Sequence, residues 1–226
     1  MKLLKRLLLV IFVLLLAFTG YVWVANRNVK NMTFRQKILR TVYPAFMWWS
    51  KKSGNRSQVI TNKEKQPLTS FYSLNALLNN GDTFQFENLK GKKVLLVNTA
   101  SNCGFTNQYA ALESLYQSHK DRFIILGFPA NDFKNQESGT DAEIAAFCKQ
   151  NFGISFPLMQ KSVVLPQANQ NPVYQWLTDA SKNGWNNKAP SWNFSKYLVD
   201  ENGVLIDYFG SAVAPTDEVL INAIKK

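Results

Sequence analysis

The stretch Val94-Leu95-Leu96-Val97-Asn98-Thr99-Ala100-Ser101-Asn102-Cys103-Gly104-Phe105-Thr106 decides the architecture of this chain. Its unbroken apolar opening, without polar alternation, reads as a strand buried in the middle of a sheet. The small and polar residues after it read as a loop, and a helical stretch from Asn107 to Ser118 follows. Cys103 is therefore expected on a strand-to-helix loop, at the start of a helix. A thiol reacts as its thiolate, and the unpaired N–H groups and positive dipole end of a helix start lower a cysteine pKa from its usual value of about 8.5. That position makes Cys103 a candidate nucleophile, although a free cysteine is also a common small buried residue. Thr106 stands where a Cys-x-x-Cys motif would carry its second sulfur, which excludes a reductase with adjacent cysteines.

Working outward, Asn79-Asn80-Gly81-Asp82 reads as a turn between two strands, and Leu89-Lys90-Gly91-Lys92 as the turn into the buried strand. Phe123 to Phe128 is a second buried strand. Asp141-Ala142-Glu143 opens a helix through Asn151 with acids in its first turn, and Cys148 falls inside it. Tyr197-Leu198-Val199 and Val204 to Tyr208 flank Asp200-Glu201-Asn202-Gly203 as a hairpin with an Asn-Gly turn, and Pro215 to Ile224 forms a last helix. The order β-α-β-α-β-β-α predicts a thioredoxin-like α/β fold, a central mixed sheet flanked by helices.

The formal charge of +11 is not spread over this unit: residues 1 to 65 hold 13 Lys/Arg and one acid, Glu64, whereas residues 66 to 226 hold 13 against 14. A near-neutral globular part argues against a nucleic-acid partner and leaves the anionic membrane surface to explain the basic excess. The leader Met1-Lys2-Leu3-Leu4-Lys5-Arg6 precedes an uncharged apolar run from Leu7 to Ala25, 19 residues long. That is close to the roughly 20 residues a bilayer-crossing helix needs. Trp23 and Phe18 stand two before Ala25 and Gly20, poor cleavage sites, so an uncleaved signal-anchor is expected rather than a removed signal peptide. The expected organisation is leader and transmembrane helix over 1–30, basic juxtamembrane segment and linker over 31–66, and thioredoxin-fold domain over 67–226. Residues 33 to 50 mix basic and apolar positions and suit a helix on the bilayer surface or on the domain. Gly54 to Gln66 reads as a mobile linker. Basic residues after the span lean toward a cytoplasmic domain, while the charged leader resembles a bacterial signal-anchor; the domain is placed in the periplasm, at the inner membrane.

Three blocks carry a resemblance. Asn98 to Thr106, Gly127-Phe128-Pro129-Ala130-Asn131-Asp132-Phe133-Lys134-Asn135-Gln136-Glu137, and Trp192-Asn193-Phe194-Ser195-Lys196-Tyr197-Leu198-Val199 resemble, in order and spacing, the signature blocks of the glutathione peroxidase family. The resemblance covers about residues 70 to 225. It implies that Cys103 is the peroxidatic residue and that Gln136, Trp192 and Asn193 are its companions, N–H groups able to donate to a thiolate and then to a sulfenate oxygen. It implies that Cys148, in the pattern Phe147-Cys148 followed by Phe156-Pro157, is the resolving cysteine. Ala130, Asp132 and Ser138 depart from the family pattern, and Asp132 would raise the thiol pKa if its charge lay close. The insertion of tetrameric relatives is missing between Asp179 and Ser191, which implies a monomer open to bulky substrates.

The activity so implied is a thiol peroxidase for hydrogen peroxide and organic or lipid hydroperoxides. It needs no cofactor or metal and is recycled by a thioredoxin-like reductant or glutathione, at a membrane lipid surface. The alternatives are a peroxide sensor that relays oxidation to a partner and a non-catalytic thioredoxin-like binding module. His119, the one histidine, reads as a surface residue rather than a base.

Overall fold

The computed structural model describes residues 2–29, 31–52 and 58–226; Lys30 and the 53–57 part of the expected linker lie outside them. The apolar run forms α1, Lys2–Ala25, whose side chains stand exposed except for Val22. This helix is long and apolar enough to cross a bilayer. It leads into α2, Phe34–Lys52, which contains Pro44.

The α/β unit comprises β1 (Val59–Thr61), β2 (Asn75–Leu77), β3 (Thr83–Gln85), β4 (Lys93–Thr99), α3 (Gln108–His119), β5 (Phe123–Pro129), α4 (Asp141–Phe152), α5 (Pro172–Leu177), α6 (Ala180–Asn183), β6 (Lys196–Val199), β7 (Leu205–Phe209) and α7 (Glu218–Lys225). One sheet has the order β1-β7-β6-β4-β5, and β2 pairs with β3 in a separate ribbon. Only the β4–β5 pair is parallel; β4–β6, β6–β7 and β1–β7 are antiparallel. This is the mixed sheet of a thioredoxin-like fold.

Every residue of β4 is buried, which explains why it shows no alternation. Leu95 and Val97 pack with Leu112 of α3 and Ile144, Phe147 and Cys148 of α4 on one face. Val94 and Leu96 pack with Tyr174 and Trp176 of α5 and with Tyr197 and Tyr208 on the other. The two faces together make a sheet sandwiched between helices, and its topology carries the carboxyl ends of β4 and β5 to the same edge.

Three expectations change. The chain stays irregular from Ser101 to Asn107, so Cys103 lies five residues before α3 rather than at its start. Thr106 Oγ1 holds this loop by accepting the Cys103 N–H at 3.0 Å and donating to the Ala100 carbonyl at 2.7 Å. The segment read as a mobile linker contributes β1 to the sheet, with Ile60 opposite Tyr208, and its neighbour Asn62 is bonded on to the Ile206 and Leu205 carbonyls. The last helix begins at Glu218 because Asp217 turns its carboxylate to the Ala214 N–H at 2.8 Å, closing a turn ahead of it.

Candidate active site

A loop rich in small residues presents its amides to whatever side chain it carries. Here the Phe105 N–H donates to Cys103 Sγ at 3.4 Å, a local amide aimed at the sulfur five residues before α3 begins at Gln108. The same loop is tied to the segment between β5 and α4: the Asn102 N–H donates to the Gln136 carbonyl at 3.0 Å. Asn98, the last inward polar residue of β4, ties it to the third block, with Nδ2 donating to the Trp192 carbonyl at 3.1 Å and its own carbonyl accepting the Phe194 N–H at 2.6 Å. The structure therefore joins the three blocks through their backbones.

Their side chains converge too. Asn193 Nδ2 donates to Gln136 Oε1 at 3.0 Å, and both residues are buried. The second Asn193 atom, Oδ1, is buried without a hydrogen-bond partner. Trp192 packs against Phe133, ring centroids 5.4 Å apart, and Lys134 Nζ stands 5.7 Å from its ring. Lys134, Asn135 and Phe194 hold φ of 54°, 51° and 66°. Left-handed conformations in residues other than glycine cost on the order of 1 kcal/mol or more each and persist where the surroundings over-determine them. The turns that aim Gln136 and Asn193 are of that kind.

Cys148 occupies the third turn of α4, fully buried in the same core cluster as Cys103, and the two are not joined in a disulfide. Burial pushes its pKa up to about 12, the neighbouring Tyr109 hydroxyl opposes this, and the Glu137 carboxylate adds to it. Helix α4 is firmly started, because Thr140 and Glu143 form a reciprocal capping box.

Asp132 turns its carboxylate to the N–H groups of Val164 and Leu165 at 3.3 and 3.4 Å. His119 is half-buried at the end of α3, its Nδ1 3.1 Å from the Leu115 carbonyl and its ring beside Phe123.

Two features of the site were not anticipated. Glu137, next to Gln136, is 1% exposed and bonded by Ser101 Oγ at 3.2 Å; burial raises its pKa to about 7 against the pull of that bond. An acid inside the second block was its one visible signal. The other is α2, which lies over the Cys103 loop: Gln36 Nε2 donates to the Ser101 carbonyl at 3.2 Å, and Phe46 meets Phe105 edge-on at 4.8 Å. The recurrence of Gln36, Tyr43, Met47 and Ser50 at helical spacing was its signal.

This geometry has relatives. The sequence profile described as glutathione peroxidase matches residues 71–178. The glutathione peroxidase-like peroxiredoxin gpx1 of Schizosaccharomyces pombe is 49% identical over 149 residues, 66% of this chain and 93% of its own length. The glutathione peroxidase homolog BsaA of Staphylococcus epidermidis is 44% identical over 149 residues, 66% of this chain and 93% of its own. The crystal structure of Trgpx in apo form superposes with a TM-score of 0.54 at 34% identity, over 70% of this chain and 97% of that one. A DsbF homologue from Corynebacterium diphtheriae, at 16% identity and a TM-score of 0.54 over 75% of this chain and 94% of its own, shares the fold alone. With relatives matched over nearly their whole length and Cys103, Gln136 and Asn193 brought to one sheet edge, the chain belongs to the glutathione peroxidase family.

Proposed function

We propose that this protein is a thiol-dependent peroxidase in which Cys103 attacks the peroxide. The observation that carries the reading is the amide-supported sulfur of Cys103 on a loop bonded to the Gln136 backbone, with the Gln136 side chain in turn held by Asn193. The Cys103 thiolate attacks one peroxide oxygen; the S–O bond forms as the O–O bond breaks, and the departing oxygen takes a proton to leave as water or an alcohol. Because Gln136 Oε1 is occupied by Asn193, its Nε2 is the end that donates to the developing oxygen, while Asn193 Oδ1 accepts the proton of a bound peroxide or of the sulfenic acid. The Trp192 indole completes the set.

The sulfenic acid is then attacked by the Cys148 thiol, water leaves, and a thioredoxin-like dithiol or glutathione reduces the disulfide. Hydrogen peroxide and organic or lipid hydroperoxides are the substrates. Helix α1 anchors the protein uncleaved in a bacterial inner membrane, with the monomeric domain on the periplasmic side and residues 67–226 carrying the chemistry. Burial of Cys148 favours one secondary reading, a peroxide sensor whose slow resolution leaves time for a partner thiol to take the oxidation.

The test is NADPH consumption with thioredoxin, thioredoxin reductase and a hydroperoxide. Turnover should vanish in both Cys103→Ser and Cys148→Ser. Activity surviving Cys103→Ser ends the proposal, and activity surviving Cys148→Ser removes Cys148 as resolver.

A further inference from the structure

Helix α2 stands outside the family-matched region, yet it is the element laid across Cys103. Besides the Gln36 bond to Ser101, the Phe46 ring sits so close to Gly104 that a Cβ there would lie 2.9 Å from it. The space left over the thiol, bounded by Gln36, Leu39 and Arg40 of α2 together with Thr106 and Phe147, is about 10 Å³. That is room for one water at most. Cys103 is accordingly 1% exposed, and no peroxide larger than water fits beside it while α2 is in place.

The inward residues Gln36, Tyr43, Met47 and Ser50 follow the 3.6-residue period, and Phe34, Ala45, Trp48 and Trp49 occupy the opposite, exposed face. Tryptophans beside Arg35 and Lys52 are the composition of a helix seated among lipid headgroups. The position agrees: α1 ends nine residues before α2 starts, and Asn26, at the end of α1, donates to Thr41 Oγ1 of α2 at 3.0 Å. α2 is thereby held at the level where α1 leaves the bilayer. Pro44 lacks the N–H that would bond the Arg40 carbonyl, which weakens α2 just past the residues covering Cys103. The same segment reaches α4, since Asn31 Nδ2 donates to Gln150 Oε1 at 2.7 Å, two residues beyond Cys148.

We propose that α2 is a membrane-interface lid on the thiol: its outer face lies in the headgroup layer of the bilayer, and its inner face closes Cys103 until α2 lifts. This rests on Cys103 being the reacting sulfur, but its test does not depend on turnover. The full chain carrying Cys148→Ser is reconstituted in phosphatidylcholine/phosphatidylglycerol nanodiscs and alkylated with iodoacetamide, whose access to Cys103 tracks the opened fraction. Phe46→Ala, and independently the milder Gln36→Ala, should each speed alkylation, the former by at least roughly tenfold. A fluorescent nitrobenzoxadiazole on Ala45→Cys, in a chain lacking both native cysteines, should be quenched by headgroup-nitroxide lipid. The same dye on Asn202→Cys, at the opposite end of the sheet from Cys103, should not. Native alkylation rates in both lid variants overturn the lid, and an unquenched dye at position 45 overturns its seat in the membrane. Gated alkylation in the Cys148→Ser chain, alongside native protein that consumes no peroxide with thioredoxin, leaves the lid standing and refutes the peroxidase reading instead.

Discussion

Glu137→Gln tests how the buried carboxylate beside the peroxidatic loop is supported. Burial raises the Glu137 pKa from its ordinary 4.5 to about 7. The folded protein thus holds this proton more tightly than the unfolded chain does, and stability associated with it is fully present below pH 4.5 and lost as pH rises through 7. The gap corresponds to about 3 kcal/mol at about 1.4 kcal/mol per pH unit. Glutamine keeps an acceptor for the Ser101 hydroxyl and never ionises. Thermal melts of the full chain in detergent at pH 5 and pH 8 measure the difference. At about 2–4 °C per kcal/mol for a domain of this size, the native protein should lose roughly 6–10 °C more than Glu137→Gln across that range. Equal losses in the two proteins would show that Glu137 is already ionised in the fold and refute the reasoning.

Gln136→Ala removes the acceptor of the Asn193 amide and the donor assigned to the developing oxygen; the rate of Cys103 oxidation in stopped flow should fall roughly a hundredfold, with a loss of a few degrees in melting temperature for the buried amide left unpaired. Thr140→Ala takes the capping box from α4 at a cost of about 1 kcal/mol; on the proposed role of Cys148 as resolver, acting through local opening of that helix, disulfide formation after a peroxide pulse should become about fivefold faster. An unchanged rate would mean that opening of α4 does not limit resolution. Gly184→Ala places a Cβ against the Gln66 carbonyl at a φ of 95°, so this variant should fail to accumulate as folded protein, judged by protease resistance.

What could be read from the string depended on how local its cause was. Strand β4 was visible because burial on both faces leaves a plain apolar run, and α4 because Thr140, Asp141 and Glu143 mark its start. Cys103 was put at a helix start because the Thr106 contacts that hold the loop irregular as far as Asn107 are not disclosed by side-chain types alone. Strand β1 was missed because three edge residues among charged neighbours offer no pattern, and only pairing with β7 makes them a strand. Gln136 and Asn193 meet across 57 positions, so their union was legible only through the resemblance. Glu137 looked ordinary since its chemistry comes from burial. The residues of α2 suited either the bilayer or the domain, and the helix packs one face on the domain and leaves the other exposed.

The pairing of β1 with β7 also sets the reach of the domain. Only six peptide steps separate Lys52, the end of α2, from Gln58, which is bonded to Gly210 at the sheet edge. Fully stretched, that leash spans about 20 Å. On the proposed anchoring of α1 in a bilayer, that leash would keep the domain within about one protein radius of the lipid, and the reductant would have to reach the enzyme at the membrane surface.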